Sequence, residues 1–360
     1  MCIGGIAVDR IYRLSHLPEP GSGTHILGMD TLGGGVEANV AAGLARLGVR
    51  VALISRVGDD ADGRWVRADL ESWDVDVSRV VALQGVDTDF CIVWVPPDGE
   101  RLLACHNPCL RSMQLDDADR AMMSQASVLF VSSFVPLELL RETLEETQRI
   151  GVTVAFDLTD TFDDLGARGL GRDDFWRLLP QIDLLMTNHL ALGSLMDMKK
   201  PEAAFGAFCR RAPEVSLAMT MGAQGAWLGC GGAQVYVDAF PVQVVDSTGA
   251  GDAFHAGLIY SLLLSGQLPG PASGEQTAGE TSQKSPAGLV PLSAKGPNKE
   301  QGPEPVEGLH PSTSSGLRRA GTFASALAAL NCVGPGARGG LATQDEVLKF
   351  LCDHRGVATE

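Results

Sequence analysis

Short apolar runs recur along this chain, separated by stretches whose apolar positions fall three and four residues apart. The runs CIGGIAV, VRVALISRVG, SVLFVSS, VTVAFDL, DLLMTN and VSLAMTMG are rich in aliphatic and β-branched residues. Strand-like runs alternating with helical patterns predict an α/β fold, a mostly parallel sheet covered by helices on both faces. Two regions break the rhythm. Residues from about 10 to 33 and from about 86 to 106, the latter including TDFCIVWVPPDGERLLACH, read as extended segments and turns with no helix between them. They are expected to pair as a small β-lid beside the main sheet.

A different break spans residues 266–316. These 51 residues contain nine Gly and eight Pro and no aromatic residue. That composition buries too little apolar surface to offset ordering entropy, so a disordered low-complexity insertion is expected within a single domain of 1–360. Composition narrows the partners. The 44 acids against 28 bases give a net charge of −16, which disfavours nonspecific contact with nucleic acid or anionic membrane. Any anion must then be held by local geometry. No stretch reaches about 18 uncharged apolar residues, and the start MCIGGIAVDRIYRL lacks a basic leader, so a soluble cytoplasmic protein is expected. The eight cysteines show no CxxC pair and no Cys/His ligand spacing. They are expected to be reduced and mostly buried, with neither a zinc site nor a disulfide framework.

The stretch VVDSTGAGDAFHAGLIYSLLLSG, Val244 to Gly266, joins a β-rich run to an apolar helical run through Gly249, Ala250 and Gly251. Unpaired N–H groups at such a helix start, together with the helix dipole, make an anion site that small residues leave accessible. Asp252 falls in the first helical turn, where its charge is favoured and where it is expected to be ionised at neutral pH. Acids and glycine-rich turns are common at helix starts, so this stretch alone divides evenly between a site and a structural turn.

A second constellation changes that balance. TLGGGVEANVAAGLARLGVRVALI places Gly33, Gly34 and Gly35 at the start of an Ala-rich helix, with Asn39 one turn in. It resembles the first signature of the ribokinase-like (PfkB) carbohydrate kinases, a Gly-Gly pair followed four residues on by Asn. DSTGAGD, Asp246 to Asp252, resembles their second signature, with Ser247 in place of a Thr. The order of the two and their separation of roughly 200 residues are far more specific than either alone. CIGGIAVD, VGDDADG, TMGAQGAWL and FASALAALNCVGPGARGGL extend the likeness over nearly all the chain outside 266–316. A dinucleotide-binding fold is disfavoured because no strand is followed by the G-x-G-x-x-G spacing.

The resemblance implies a ribokinase-like three-layer sandwich with a β-lid, and ATP-dependent phosphorylation of a small sugar or sugar derivative. It implies Asp252 as the base that takes the hydroxyl proton, and the Gly249, Ala250 and Gly251 amides as the hole for the transferring phosphoryl group. Asp9, Gly34, Gly35 and Asn39 match sugar-holding positions. Asn188, Thr220, Gly222, Gly225 and Ser325, with Gly249 and Gly251, match the ATP side. Mg2+ is implied with ATP. For some members the likeness also implies a monovalent cation such as K+, here near Asp246, Thr248, Asn331, Gly334 and Gly336. Lid strands in the family often pair between subunits, which makes a homodimer through the lid the expected assembly.

One departure stands out. Family members often carry Asn-Xaa-Xaa-Glu after a mid-chain strand, with the Glu influencing Mg2+ through water, whereas TNHLALGSL keeps Asn188 and has Ala191 at the Glu position. Altered metal dependence is the expected consequence. DRIYRL, GGG and FASALAALNC look similar to the ketohexose and sulfosugar kinase branch. Two alternatives stay open: a nucleoside kinase, whose base pocket would need aromatics such as Tyr12, Phe90 and Trp94 in the lid, and a binding or regulatory protein with little turnover.

Overall fold

Residues 1–97, 101–264 and 314–354 are described by the computed structural model. In chain order the first strands are β1 (Cys2–Ile3), β2 (Ala7–Leu14), β3 (Ile26–Gly34), β4 (Ala52–Gly58), β5 (Asp76–Leu83), β6 (Phe90–Val95) and β7 (Leu102–His106). They continue as β8 (Val128–Ser132), β9 (Thr153–Leu158), β10 (Leu184–Asn188), β11 (Ser216–Thr220), β12 (Ala226–Cys230) and β13 (Ala233–Val237). Nine of them form one sheet in the order β13-β12-β11-β10-β9-β8-β1-β4-β5. Pairing is parallel from β11 to β5, and β12 and β13 return antiparallel at one edge. Every residue of β8 and β9 is buried, which explains why these strands read as continuous apolar runs and not as alternating ones.

Two apolar clusters cover the two faces. One packs the helices Val36–Arg46, Ala250–Leu264 and Ser314–Asn331 against the sheet; the other packs Leu137–Ile150, His189–Met196 and Pro201–Arg211 against the opposite face. Fully buried Phe130, Phe156, Phe175, Phe205 and Phe208 anchor these layers, and each such side chain contributes about 1.5–3 kcal/mol on burial. None of the helices among the described residues is long and apolar enough to cross a membrane.

The remaining four strands make a second sheet, β3-β2-β6-β7. Only three residues separate β1 from β2, so Asp9 stands just beyond the point where the chain leaves the large sheet for the small one. Register pairs Ala7 with Gly34, Val8 with Gly33 and Asp9 with Leu32, which brings the triple glycine beside the first acid. Ile26, Leu27, Met29 and Leu103 leave this sheet with exposed apolar side chains.

One expectation changes, and another falls mostly outside the described residues. Cys91 and Cys105 face each other across β6 and β7 and form a disulfide, against the expectation of free thiols only. The hairpin register brings together two cysteines whose 14-residue separation matches no local motif. The insertion expected at 266–316 lies almost wholly outside the described residues; its last three, Ser314 to Gly316, form the first turn of the helix Ser314–Asn331.

Candidate active site

The turn before the helix Ala250–Leu264 is shaped by Gly249. Its φ is 71°, and a Cβ there would overlap the Ala337 carbonyl, so only glycine fits. Gly251 has open space around its Cα, and among the described residues the amides of Gly251 and Asp252 find no backbone acceptor. The turn before this helix thus leaves two amide donors unspent.

Asp252 is partly exposed beside those amides, and its Oδ2 accepts a hydrogen bond from Asn39 Nδ2 at 2.7 Å. Burial pushes its carboxyl up to about 7, and the Asn39 bond and nearby His255 offset this only in part. The expectation of a fully ionised Asp252 at neutral pH is thus corrected, because desolvation outweighs the favourable helix start. Further acids sit close. Asp157, at the end of β9, is pushed up to about 7 by its own burial. Glu37 is raised as well, although its carboxylate accepts from the amides of Gly5 and Ser132, each at 2.9 Å. His255 lies one turn after Asp252, with Nδ1 3.9 Å from Asp157 Oδ2, and burial holds it neutral by lowering it to about 4.

The three consecutive glycines have separate reasons. A Cβ on Gly34 would overlap the Asp9 carboxylate, and one on Gly33 would meet Arg338 Nη1 and Asp69 Oδ2 at 2.5 Å. Gly35 has φ 95° and lies against the Gly5 carbonyl. Asp9 is raised to about 6 by burial, with the Arg338 charge opposing the rise. Asp9, Gly34, Gly35, Asn39 and Asp252, which the resemblance grouped, therefore lie close together.

On the other side of the anion turn lies a cavity of about 480 Å³. Thr220, Gly222, Gly225 and Ser325 line it, and Ala250 and Gly251 close one end. Gly225 has φ 105° and abuts Val237 and Asp238, while Gly222 has φ 57° with no atom near its Cα. Much of the remaining wall is apolar, as a flat aromatic ligand requires; Phe240, Val242, Ala328 and Ala329 belong to it.

Two expected positions behave otherwise. Asn188 accepts from the amides of Leu190 and Ala191 at 2.9 Å and donates to the Thr159 carbonyl, so its side chain caps the helix His189–Met196 and ties it to the sheet. Ala191 is completely buried in the apolar layer under that helix. A glutamate there would have to bury its charge, and the position does not line the cavity.

The five residues of the candidate cation site do gather, but N–H donors meet their oxygens. Asp246 Oδ1 accepts from the Thr248 amide (2.9 Å), the Thr248 hydroxyl (2.6 Å) and Arg101 Nη1 (3.1 Å), and Oδ2 accepts from the Gly336 amide (3.0 Å). Although burial opposes it, these bonds hold the Asp246 carboxyl below the usual range. Asn331 Nδ2 donates to the carbonyls of Thr248 (3.2 Å) and Ala337 (3.1 Å). These donors take one lone pair on each of the two carbonyls and most of the Asp246 Oδ1 capacity.

Sequence reasoning missed three site residues. Arg338 and Asp69 lie behind Gly33, and Arg101, beside β7, reaches both Asp246 and Ser247. The only local hints were an arginine inside the glycine-rich turn PGARGG and a third glycine beyond the usual pair.

The sequence profile described as pfkB family carbohydrate kinase matches residues 1–274. An ATP-dependent ribose-1-phosphate kinase of Halopiger xanaduensis is 31% identical over 265 residues, covering 74% of this chain and 85% of its own. A fructokinase of Klebsiella pneumoniae is 30% identical over 249 residues, covering 65% and 78%. In fold, an Arabidopsis thaliana ribokinase solved with ribose and ATP superposes with a TM-score of 0.73 at 20% identity, over 97% of each chain. With both signatures placed around one cleft and a profile match over most of its length, the chain belongs to the pfkB family of carbohydrate kinases.

Proposed function

We propose that this enzyme transfers the terminal phosphoryl group of ATP to a hydroxyl of a small uncharged sugar, with Asp252 as the base. The observation that carries this reading is the place of Asp252, between the cavity closed by Gly251 and the Asp9–Asn39 side of the cleft. The substrate O–H bond breaks toward the free Asp252 oxygen as the O–P bond forms, and the bond from the γ-phosphorus to ADP breaks. Such a transition state is loose, so a weak carboxylate base is sufficient. The Gly251 and Asp252 amides are aimed at the charge on the transferring group. Mg2+ supplies further charge neutralisation when it arrives on the ATP phosphates. Among the described residues no group of three or more His, Cys, Asp or Glu is arranged to hold a metal, which suits an ion carried in by the nucleotide.

The uncharged substrate is supported by the state of the arginines. Arg338 is paired with Asp69, Arg10 with Asp62 and Arg101 with Asp246. Asp9 and the second oxygen of Asp252 are left to meet hydroxyls, a set that favours a ketose or aldose over a phosphorylated or sulfonated sugar. The nucleoside alternative is weakened because the Phe90 ring is covered by Arg10 at 4.5 Å and by His106 at 5.3 Å. The exposed apolar side chains of the small sheet support pairing of two copies through the lid.

The test is ADP release with ATP and a panel of neutral ketoses and aldoses, sugar phosphates and nucleosides. Turnover of a neutral sugar, lost in Asp252→Asn, is expected. Turnover confined to phosphosugars or nucleosides would overturn the substrate class, and binding without turnover of any compound would leave a ligand-binding protein.

A further inference from the structure

Arg338 sits in the turn after the helix Ser314–Asn331, and its guanidinium is buried beside Asn39, 299 residues earlier in the chain. Each side of the group has its own acceptor. Nε donates to Asn39 Oδ1 at 2.9 Å, Nη2 to the Gly34 carbonyl at 3.1 Å, and Nη1 to Asp69 Oδ2 on the helix Ala61–Ser72. The opposite edge of the Asn39 amide, Nδ2, donates to Asp252 Oδ2 at 2.7 Å. An arginine can only donate, so the amide oxygen must face Arg338 and the NH2 must face Asp252.

We infer that Arg338 is a positioning residue for the base: it selects the orientation of the Asn39 amide, which clamps one oxygen of Asp252 and leaves the other to the substrate hydroxyl. Asp69 holds the guanidinium in place, and Gly33 leaves room for both because a side chain at that position would collide with them. Without Arg338 the amide is free to turn over and present Oδ1 to the carboxylate. Two oxygens tolerate that contact only if Asp252 carries a proton, and a protonated Asp252 cannot accept one.

The surroundings make this selection matter. Asp252 is faced by Asp157 from β9, by Glu37 and Asn39 from the helix Val36–Arg46, and by His255 on its own helix; Asp9 from β2 and Asp252 both lie within the field of Arg338. Asp157 and Glu37 favour a protonated Asp252, and the Asn39 bond and His255 oppose them. The Asn39 bond, oriented by Arg338, is the directed influence toward the ionised form.

This inference rests on Asp252 as the base, but its test does not need turnover. Arg338→Met combined with Asp69→Leu removes the buried pair without leaving either charge alone, and thermal melting confirms that the variant folds. The Asp252 carboxyl is then titrated by 13C NMR in the ligand-free protein, with Asp252→Asn identifying its signal. The midpoint is expected to rise by about one unit, the usual scale for losing a nearby opposite charge or donor. With a substrate in hand, kcat at pH 7 should fall about fivefold, KM for ATP should stay within about twofold, and most of kcat should return near pH 9. Adding Arg338→Met to Asn39→Ala should cost little more than Asn39→Ala alone, since one acts through the other. An unmoved Asp252 midpoint in the folded variant, or losses that multiply, would overturn the inference. Failure of the base assignment shows itself separately, as turnover retained in Asp252→Asn.

Discussion

The two halves of the cleft are built from different materials. The side proposed for the nucleotide is made of backbone and small residues: Gly222, Gly225, Gly249 and Gly251, with an apolar wall. The side proposed for the sugar is a chain of side chains, Asp69 to Arg338 to Asn39 to Asp252, with Asp9 alongside. Backbone recognition tolerates change wherever the φ angle and the free space survive. A side-chain chain depends on every member, because each fixes the next through a directional bond and a buried unpaired member costs more than its bond contributed. One side should therefore yield to substitutions gradually, and the other abruptly.

The sharpest break is Asp252→Asn. It should lower kcat by about 10²- to 10⁴-fold while sugar and ATP still bind, as checked by steady-state rates and calorimetry on the same preparation. Asp9→Asn should raise KM for the sugar by about ten- to a hundredfold, the worth of a hydrogen bond to a charged group, with KM for ATP unmoved. Equal changes in both constants would mean that the two sides are not separable.

Acidity gives the next effect. With Asp252 raised to about 7, kcat should climb roughly tenfold from pH 6 to pH 8 as the base ionises. Stability should move the other way. A carboxyl raised in the folded state favours folding fully below the ordinary carboxylate range, and that contribution is lost as pH rises through about 7. Asp157 at about 7 and Asp9 at about 6 act with the same sign. The melting temperature of the ligand-free protein should therefore fall from pH 5 to pH 8, and less steeply in Asp252→Asn; a parallel slope would remove Asp252 from the explanation.

On the backbone side, Gly222→Ala has room for its methyl and costs about 1 kcal/mol in backbone conformation. It should fold, weaken ATP by about three- to tenfold and leave the sugar constant alone, as read from paired KM measurements. The smallest effect concerns the cation. Since Asn331 and Arg101 already donate to the gathered oxygens, exchanging K+ for a large organic cation should change the rate by less than about twofold, under 0.5 kcal/mol of barrier. A rate that depends on K+ would show that these side chains yield to the ion.

The glycine-rich turns and the layered sheet were legible along the chain because each shows as a short pattern of neighbouring residues. Gly249 before an apolar helix, Gly34 and Gly35 before Asn39, and the continuous apolar strands are such patterns, although the atoms that require the glycines, on Ala337, Asp9 and Gly5, lie far off in the chain. Asn188 was legible as an asparagine at a strand end, yet its side chain serves as a helix cap. Ala191 matched a spacing, but that spacing does not say which face of the short helix meets the core.

By itself, then, the sequence determined the elements and the backbone chemistry of this protein: where the strands run, where glycine is needed, and where a helix start offers its amides beside an acid. Only the tertiary structure decided the partnerships, because they join residues on different elements, from 14 to 299 positions apart, and leave no periodic mark. Arg338 meets Asn39, Arg101 meets Asp246, and Cys91 meets Cys105 through the folding of separate segments onto one another. The protonation of Asp252 belongs to the same class. A helix start favours its charge, but the water removed by the packed layers around it has the larger effect, and desolvation is a property of the assembled fold.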